Sequence, residues 1–340
     1  MDQIDSLAIE DDLTGSFVHK HAAQLFSFIG DSDQYTAKVC YWLASNLDSD
    51  YEGECAYDLM PHWNRDLSLS ENKRLYTEAT EKAMKHSLDI VLKCSGNLLN
   101  PQSELGVLEE KDLVFDKQPV IGQGTYGQVY LINGYAVKTT AYDELSLSVI
   151  CLLRETTALA ILGRLRFVGL NNGQYYIGMD YFPEELNYEQ PHKAIRELSK
   201  ELMTFHSLGI IHCDIKLGNV RIDSEGHYRL IDFGSCRFTP SVNATGPIGT
   251  HAYCDYRLLS GKGTGYGFEV DIWSLGIVFY MLETSYSPWG LPNDVKGYSK
   301  AIEDQWESVM KGSSPLVRGM LSLSRELRWT IEEVVNACLQ

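Results

Sequence analysis

The feature that most constrains this chain is a pair of short polar segments at a fixed spacing in its second half. The first is His212-Cys213-Asp214-Ile215-Lys216-Leu217-Gly218-Asn219, and the second, Asp232-Phe233-Gly234, begins 18 residues after Asp214. Together they supply a carboxylate, an amine, a carboxamide and a second carboxylate. Phosphoryl transfer from a metal-bound nucleotide requires these groups at this spacing. One carboxylate can accept a hydroxyl proton, the amine can contact the moving phosphate, and the other two groups can hold magnesium.

A glycine-rich segment lies upstream of these two loops. Its sequence is Gly122-Gln123-Gly124-Thr125-Tyr126-Gly127-Gln128-Val129. Because its glycines have no β-carbons, its backbone amides can close over nucleotide phosphates. A dinucleotide-binding loop with the same glycine pattern needs a following helix. Here a strand hairpin follows instead, with Asn133-Gly134 as its tight turn, which disfavours the dinucleotide interpretation.

Strand patterns precede helical patterns along the chain. Strands are predicted at 120–121, 128–131, 135–138 and 174–179, and helices at 145–165, 191–208, 270–282 and 331–339. Weaker helical patterns occur at 22–43 and 76–92. The catalytic-type loops therefore fall between a strand-rich region and a helix-rich region.

In this order and combination, the motifs resemble those of the eukaryotic-type protein kinases. Further matches to that superfamily are Met179-Asp180-Tyr181-Phe182, Gly249-Thr250-His251-Ala252-Tyr253 and Asp271-Ile272-Trp273-Ser274-Leu275-Gly276. The resemblance covers about residues 115 to 338. It implies an α+β, bilobal kinase fold at 112–340, with a small antiparallel β lobe (112–182) and a larger, mainly helical lobe (183–340). Residues 1–111 would form a mostly helical or partly disordered extension.

The resemblance implies a chemical role for each matched polar residue. Asp214 would accept the proton of the substrate hydroxyl, and Lys216 would stabilise charge on the transferred phosphoryl group. Asn219 and Asp232 would ligate two Mg²⁺ ions. His212 is expected to be a packed structural histidine rather than a general base.

The same resemblance defines the expected ATP site. Lys138 would contact the α- and β-phosphates and would be oriented by Glu155, with Glu144 as the competing partner. Val129 and Ala136 would cover one face of the adenine, with Met179 behind it. The complete expected ATP-binding set is Ile121, Gly122, Gln123, Gly124, Thr125, Tyr126, Gly127, Gln128, Val129, Ala136, Lys138, Met179, Asp180 and Phe182.

Two positions indicate the class of acceptor. Lys216 lies two residues after Asp214, as in the serine/threonine members of the family. Thr250 lies in the segment that resembles the end of the family's activation segment, and this resemblance implies that its hydroxyl can bridge Asp214 and Lys216. The sequence therefore predicts an ATP- and Mg²⁺-dependent protein serine/threonine kinase.

Two rival functions remain open at this level. A kinase-shaped binding module, or pseudokinase, is expected to lack at least one of four polar groups, yet Lys138, Asp214, Asn219 and Asp232 are all present. A small-molecule kinase of the aminoglycoside type is not expected to combine Lys216 with the motifs around Thr250 and Asp271.

Three positions depart from the family pattern. Cys213 replaces the arginine that usually receives an activation-loop phosphate, so phosphorylation of the activation loop is expected to be dispensable. Cys213 itself is expected to be a small buried thiol, with a redox switch as the alternative. Arg257 replaces a glutamate that pairs with an arginine aligned with Arg328. Two facing arginines would repel, so this tether is expected to be replaced or the segment repositioned. Arg221 occupies the usual place of an apolar adenine floor, where its aliphatic stem could serve with the charge turned outward, and nucleotide affinity is expected to be weaker than usual. Such losses resemble the kinases of large DNA viruses or other divergent lineages.

Composition adds expectations about partners and location. The net charge of −17 argues against a nucleic-acid backbone as partner and mildly favours basic protein substrates. A solvated, solubilising surface explains the charge equally well. Residues 1–111 are either an appendage or a docking segment for a regulatory partner. The dispersed cysteines, and the lack of a signal peptide or long apolar run, predict an intracellular protein of the cytoplasm or nucleus (of a host cell if viral), neither secreted nor membrane-spanning.

Overall fold

The computed structural model describes residues 118–124, 127–141, 147–171, 174–238, 241–242, 247–261, 265–290 and 292–339, together with isolated positions before residue 118. The chain divides into two compact units between Tyr181 and Phe182. The helices predicted at 22–43 and 76–92 and the boundary predicted at 111/112 lie outside the described residues.

The first unit contains a five-stranded antiparallel sheet. Its strands are β1 (Val120–Gly124), β2 (Gly127–Ile132), β3 (Tyr135–Ala141), β4 (Leu165–Asn171) and β5 (Gln174–Asp180), in the spatial order β1-β2-β3-β5-β4. The predicted Asn133-Gly134 turn connects β2 to β3, and both residues have positive φ angles, 51° and 84°. This turn fixes the register that places the nucleotide-site candidates on the sheet.

One face of this sheet carries a small apolar core. It consists of Ile132, Val137, Phe167 and Tyr176, with Tyr130 packed against it. Gly178 belongs to this packing because a Cβ there would lie 2.2 Å from the Phe167 ring. The opposite face is therefore left for the functional side chains of β2, β3 and β5.

The helix of the first unit is α1, Leu147–Ile161. The sequence predicted a helix through residue 165, and this boundary is wrong. Gly163 has a φ of +67° and ends the helix in the left-handed conformation. Leu165 then begins β4, a strand that the sequence patterns did not indicate.

The second unit is mainly helical. Its helices are α2 (Pro191–Ser207), α3 (Tyr256–Leu259), α4 (Glu269–Thr284), α5 (Val295–Gly312), α6 (Pro315–Met320) and α7 (Ile331–Ala337), with short 3-10 turns at Leu217–Asn219 and His251–Tyr253. Two short antiparallel sheets accompany them: β6 (Glu184–Glu185), β7 (Val220–Ile222) and β8 (Tyr228–Leu230) form one, and β9 (Ser241–Val242) and β10 (Tyr266–Gly267) form the other.

Helix α4 is the core of the second unit. Eleven of its residues are buried, from Val270 to Leu282, and Trp273 stacks on the buried Trp289. A helix that is apolar around its whole circumference must be enclosed by neighbours. The antiparallel sheet of one unit and the mainly helical second unit confirm the predicted α+β kinase fold. Within the described residues, no helix is both long and apolar enough to cross a membrane.

Candidate active site

The first unit holds a buried ion pair at the position predicted for phosphate binding. Lys138 Nζ lies 2.6 Å from Glu155 Oε2, and the two side chains are 12% and 2% exposed. β3 carries Lys138 and α1 carries Glu155, so the pair connects the sheet to its helix. The competitor, Glu144, lies outside the described residues. The predicted partnership of Lys138 and Glu155 is present.

The register of the sheet brings the adenine candidates together. Val129 lies opposite Lys138 across β2 and β3, and Ala136 lies opposite Met179 across β3 and β5. Directly opposed residues share a face, as do residues two apart in one strand. Val129, Ala136, Lys138 and Met179 therefore share one face of the sheet, opposite the small apolar core.

The remaining ATP-site candidates lie at the ends of strands. Gly122 and Gln123 pair with Val129 and Gln128 across β1 and β2, and Gly124 pairs with Gly127 at the tip. Ile121 in β1 is 37% exposed. Thr125 and Tyr126, at the turn of the loop, lie outside the described residues. Asp180 ends β5 with its carboxylate 2.7 Å from the Arg166 guanidinium, and Phe182 is the first residue of the second unit.

In the second unit, the catalytic loop is anchored to α4 by one buried carboxylate. Asp271, which is fully buried, accepts hydrogen bonds from the backbone N–H groups of His212 (2.7 Å) and Cys213 (2.9 Å). Its Oδ2 also lies 3.0 Å from Nε2 of the buried His206. Cys213 has a φ of +64°, a conformation that is costly for a residue with a β-carbon. Asp271 therefore stabilises the strained backbone on which Asp214 is mounted.

Asp214, Lys216 and Thr250 form one hydrogen-bonded network. Thr250 donates to Asp214 Oδ1 from both its backbone N–H (2.8 Å) and its hydroxyl (2.7 Å). Lys216 Nζ donates to Asp214 Oδ2 (2.6 Å) and to the Thr250 hydroxyl (2.9 Å). The bridging contact predicted for Thr250 is thus present, and it holds the Asp214 carboxylate in a single orientation.

Asn219 and Asp232 offer oxygen ligands that suit a hard cation. The Asn219 amide nitrogen donates to the Asp214 backbone oxygen (2.9 Å) and to its Oδ2 (3.3 Å), so the amide oxygen is directed away from these contacts. The backbone N–H of Ile231 donates to the Asn219 carbonyl (2.9 Å), which brings the neighbouring Asp232 beside this loop. An amide oxygen and a carboxylate fit Mg²⁺. Among the described residues, no cluster of three or more His, Cys, Asp or Glu side chains could hold a metal ion. A cation bound by Asn219 and Asp232 would therefore need further ligands from nucleotide phosphates or water.

His212 has the structural role that the sequence predicted. It is fully buried, and its ring lies 5.0 Å from that of Phe233 and 6.4 Å from that of Phe205. Its Nδ1 accepts the backbone N–H of Asp214 at 3.3 Å. The ring therefore supports the catalytic loop from behind.

Sequence reasoning missed the importance of Gly249, which precedes Thr250. Gly249 has a φ of +68°, and a Cβ there would lie 2.2 Å from the Cys213 carbonyl oxygen and 2.9 Å from Asp214 Oδ1. Only glycine fits this approach of the two loops. The available signal was the Gly-Thr pair itself.

Replacing Gly249 by Ala is expected to displace Thr250 from Asp214 and to lower the turnover number by about 10²-fold, the typical effect of a misplacement of about 1 Å at a reacting centre. Gly261→Ala is the matched control, because Gly261 has the same φ of +68° and nothing within 4 Å of the added Cβ. Steady-state kinetics of both variants checks the prediction. Equal losses in the two variants would assign the effect to backbone conformation alone.

The contact between this segment and Arg328, which the sequence predicted to be replaced or repositioned, is made by a different residue. Asp255, two residues before Arg257, forms the buried ion pair with Arg328, whose side chain is completely buried. Arg328 Nη1 also donates to the Glu269 carbonyl (3.0 Å), and the guanidinium lies 5.0 Å from the centre of the Trp273 ring. The tether between this segment and the C-terminal helices is therefore preserved, with a different carboxylate.

Arg257 has a separate place at the start of α3. Its backbone N–H donates to Asp255 Oδ1 (2.8 Å), so Asp255 is also the N-cap of α3. The pKa of the exposed Glu326 is lowered chiefly by the Ser324 hydroxyl and less by the nearby charge of Arg257. The charge of Arg257 therefore acts on an acidic surface residue.

Cys213 is a buried thiol, as the sequence predicted, and is 5% exposed. The segment after Asp232 is held by backbone contacts. Ile211 and Arg237 exchange two N–H to oxygen bonds of 2.8 and 2.9 Å, and β9 pairs with β10. Arg237 Nη1 donates to the carbonyls of Ser235 (2.7 Å) and Cys236 (3.1 Å).

Comparison with known proteins places these groups in a family context. A family model described as the protein kinase domain matches residues 115–338. The chain is 26% identical over 301 residues to serine/threonine-protein kinase Genghis Khan of Drosophila melanogaster, a match that covers 78% of this chain and 18% of that protein.

Two further relatives show the same relationship. Myotonin-protein kinase of Homo sapiens is 28% identical over 221 residues, covering 55% of this chain and 35% of that protein. The probable CTD kinase subunit alpha homolog of Encephalitozoon cuniculi (strain GB-M1) is 31% identical over 184 residues, covering 48% of this chain and 55% of that protein. The chain thus spans between 18% and 55% of the length of these three relatives.

Proposed function

This chain belongs to the protein kinase domain family, and from that premise we propose that it is an active ATP- and Mg²⁺-dependent protein serine/threonine kinase. The observation that carries the proposal is the network of Asp214, Lys216 and Thr250. Lys216 and Thr250 are 34 residues apart in the sequence and partly exposed, yet both contact the Asp214 carboxylate. A carboxylate and an amine held this way suit proton acceptance and charge stabilisation.

Asp214 acts on the acceptor in this proposal. Its carboxylate accepts the hydroxyl proton as the oxygen attacks the γ-phosphorus, and the bond from that phosphorus to the leaving oxygen of ADP breaks. Lys216 stabilises the charge on the transferred group. Thr250 fixes the carboxylate through Oδ1 and directs the Lys216 amine through its hydroxyl oxygen, so the orientation of both groups depends on one side chain.

Lys138, Asn219 and Asp232 act on the nucleotide. The Lys138 ammonium binds the α- and β-phosphates, and Glu155 keeps that ammonium in place within a poorly hydrated environment. Asn219 and Asp232 hold Mg²⁺, which supplies charge neutralisation for the phosphates when bound. The glycine-rich loop from Gly122 to Gly127 covers the phosphates with its backbone amides, and Val129, Ala136 and Met179 contact the adenine.

The acceptor class is decided by identifying the phosphorylated amino acid. The full chain is incubated with ATP labelled at the γ-phosphate and a basic protein, and the labelled product is hydrolysed. The proposal expects phosphoserine and phosphothreonine. Label exclusively on tyrosine would overturn the serine/threonine assignment, and label exclusively on small cationic molecules would favour a small-molecule kinase.

Activity is proposed not to depend on phosphorylation of the segment after Asp232. Cys213 cannot bind a phosphate as an arginine does, and the segment is already held by the Ile211–Arg237 contacts and the β9–β10 pairing. We also propose that the physiological substrates are basic proteins, because the chain has a net charge of −17. A docking role for residues 1–111 toward a regulatory partner is a separate proposal.

A variant with Ala at Ser235, Thr239, Ser241 and Thr245 together is expected to retain most of the activity. Thr239 and Thr245 lie outside the described residues. Initial rates of phosphate transfer by this variant and by the wild type, both as purified without phosphatase treatment, check the prediction. Near-total loss in the quadruple variant would show that a phosphate in this segment is required.

A further inference from the structure

Arg221 contacts the backbone on both sides of Asn219. It lies in β7, directly after the 3-10 turn Leu217–Asn219. Its Nη1 donates to the Gly218 carbonyl at 3.1 Å and to the Val220 carbonyl at 2.9 Å. A single guanidinium nitrogen therefore bridges the carbonyls of the two residues on either side of the proposed metal ligand.

Two charged residues lie opposite Arg221 on the neighbouring strands. Arg221 lies opposite Arg229 across β7 and β8 and opposite Glu185 across β6 and β7. Two arginines in direct opposition repel. Arg229 is held elsewhere, with Nε 2.8 Å from Asp223 Oδ2 and Nη1 3.8 Å from Glu201 Oε1. Arg221 forms no ion pair with any residue in the described part of the chain. Its two side-chain hydrogen bonds go to the backbone carbonyls of Gly218 and Val220.

These bonds complete the hydrogen bonding of the backbone around Asn219. The Asn219 N–H donates to the Lys216 carbonyl (3.0 Å), and the Asn219 carbonyl accepts from Ile231 (2.9 Å). The Val220 N–H donates to the Leu217 carbonyl. The carbonyls at the end of a helical turn ordinarily have no intrahelical partner. Arg221 provides that partner for Gly218, and an apolar side chain at this position could not.

We infer that Arg221 is a positioning residue that fixes the backbone of Asn219 and thereby the direction of its amide oxygen toward a divalent cation. This inference rests on the proposed function, since Asn219 is the proposed metal ligand. The Asn219 amide nitrogen is already bound to Asp214, so with its backbone fixed, the side chain retains one orientation. The arginine found in place of an apolar adenine floor thus serves the metal loop.

Three variants of the full chain test the inference. Arg221→Leu removes both hydrogen bonds, Arg221→Lys keeps the charge without the planar fork of donors, and Arg229→Leu removes the opposing arginine as a matched control. Amide hydrogen exchange is measured on the nucleotide-free proteins. Binding of a fluorescent ATP analogue is measured as a function of Mg²⁺ concentration.

In Arg221→Leu, the amides of Asn219 and Ile231 are expected to exchange faster than in the wild type. The Mg²⁺ concentration for half-maximal tightening of nucleotide binding is expected to rise about tenfold, the lower end of the effects seen for outer-shell partners of metal ligands. Nucleotide affinity without Mg²⁺ is expected to stay near the wild-type value. Arg221→Lys is expected to be intermediate, and Arg229→Leu to match the wild type in Mg²⁺ dependence.

Unchanged exchange at Asn219 together with an unchanged Mg²⁺ requirement in Arg221→Leu would overturn the inference. An equal change in Arg229→Leu would overturn it as well, because the effect would then belong to the sheet as a whole. If the wild type bound no nucleotide, the proposed function would fail. The exchange rates of the nucleotide-free proteins would then still decide whether Arg221 fixes the loop.

Discussion

Replacing Asp214 by Asn is expected to lower the turnover number for phosphate transfer by roughly 10²- to 10⁴-fold, the usual contribution of a positioned general base. The carboxamide cannot accept the hydroxyl proton, and its amide nitrogen would oppose the Lys216 amine that now donates to Oδ2. The nucleotide dissociation constant is expected to change little, because the proposed phosphate and metal ligands are other residues. Initial rates at saturating ATP and a separate titration of ATP binding measure the two quantities.

A matched change on the same network is Thr250→Val, which keeps the volume and the backbone N–H bond to Asp214 but removes the hydroxyl. Its expected loss is smaller than that of Asp214→Asn, because the proton acceptor remains and only its orientation is weakened. Equal rates for Asp214→Asn and the wild type would show that Asp214 is not the base.

Replacing Asp255 by Ala is expected to lower the free energy of unfolding by about 3–5 kcal/mol, the typical result of removing one partner of a buried ion pair. Arg328, whose side chain is 0% exposed, would keep its charge without a carboxylate. The N-cap of α3 would be lost in the same variant, which adds about 1 kcal/mol. Urea unfolding followed by tryptophan fluorescence measures the loss, and Trp273 beside Arg328 is one of the six tryptophans that contribute to the signal.

Arg257→Ala is the control for this prediction. Arg257 lies at the place where the family carries its tethering glutamate, but its side chain is not part of the buried pair. Its replacement is expected to stay within about 0.5 kcal/mol of the wild type. The double variant Asp255→Ala/Arg328→Leu is expected to be more stable than Asp255→Ala alone, since no buried charge is left unpaired. A larger loss in Arg257→Ala than in Asp255→Ala would contradict the assignment of the tether.

The sequence predicted those contacts of the site for which both the residue types and their spacing along the chain indicate one role. The pairing of Lys138 with Glu155 could be predicted because a lysine on a strand needs an anion, and the following helix offers one at the expected distance along the chain. The contacts among Asp214, Lys216 and Thr250 could be predicted from motifs that resemble those of a known family. The Asn133-Gly134 turn could be predicted because few residues tolerate two positive φ angles in succession.

The parts that escaped prediction depend on contacts between segments distant in the sequence. The sequence shows that Arg257 cannot replace the glutamate that pairs with Arg328, but it does not show that Asp255 turns inward to do so. Nothing local in the sequence shows which of two neighbouring side chains faces the core. The pattern of apolar residues likewise continued past Ile161, and only the left-handed conformation at Gly163 separates α1 from β4. The contacts of Arg221 could not be predicted either, because the carbonyls that it binds are brought to it only by the folded turn.

The most direct test of the proposed kinase activity is transfer of labelled phosphate from ATP to a basic protein by the wild type and by Asp214→Asn. Nucleotide binding is measured on the same preparations. Both proteins are expected to bind Mg²⁺-ATP, and only the wild type is expected to transfer phosphate at an appreciable rate. If both bound nucleotide and neither transferred phosphate, the chain would be a kinase-shaped binding module. That result would contradict the proposed function.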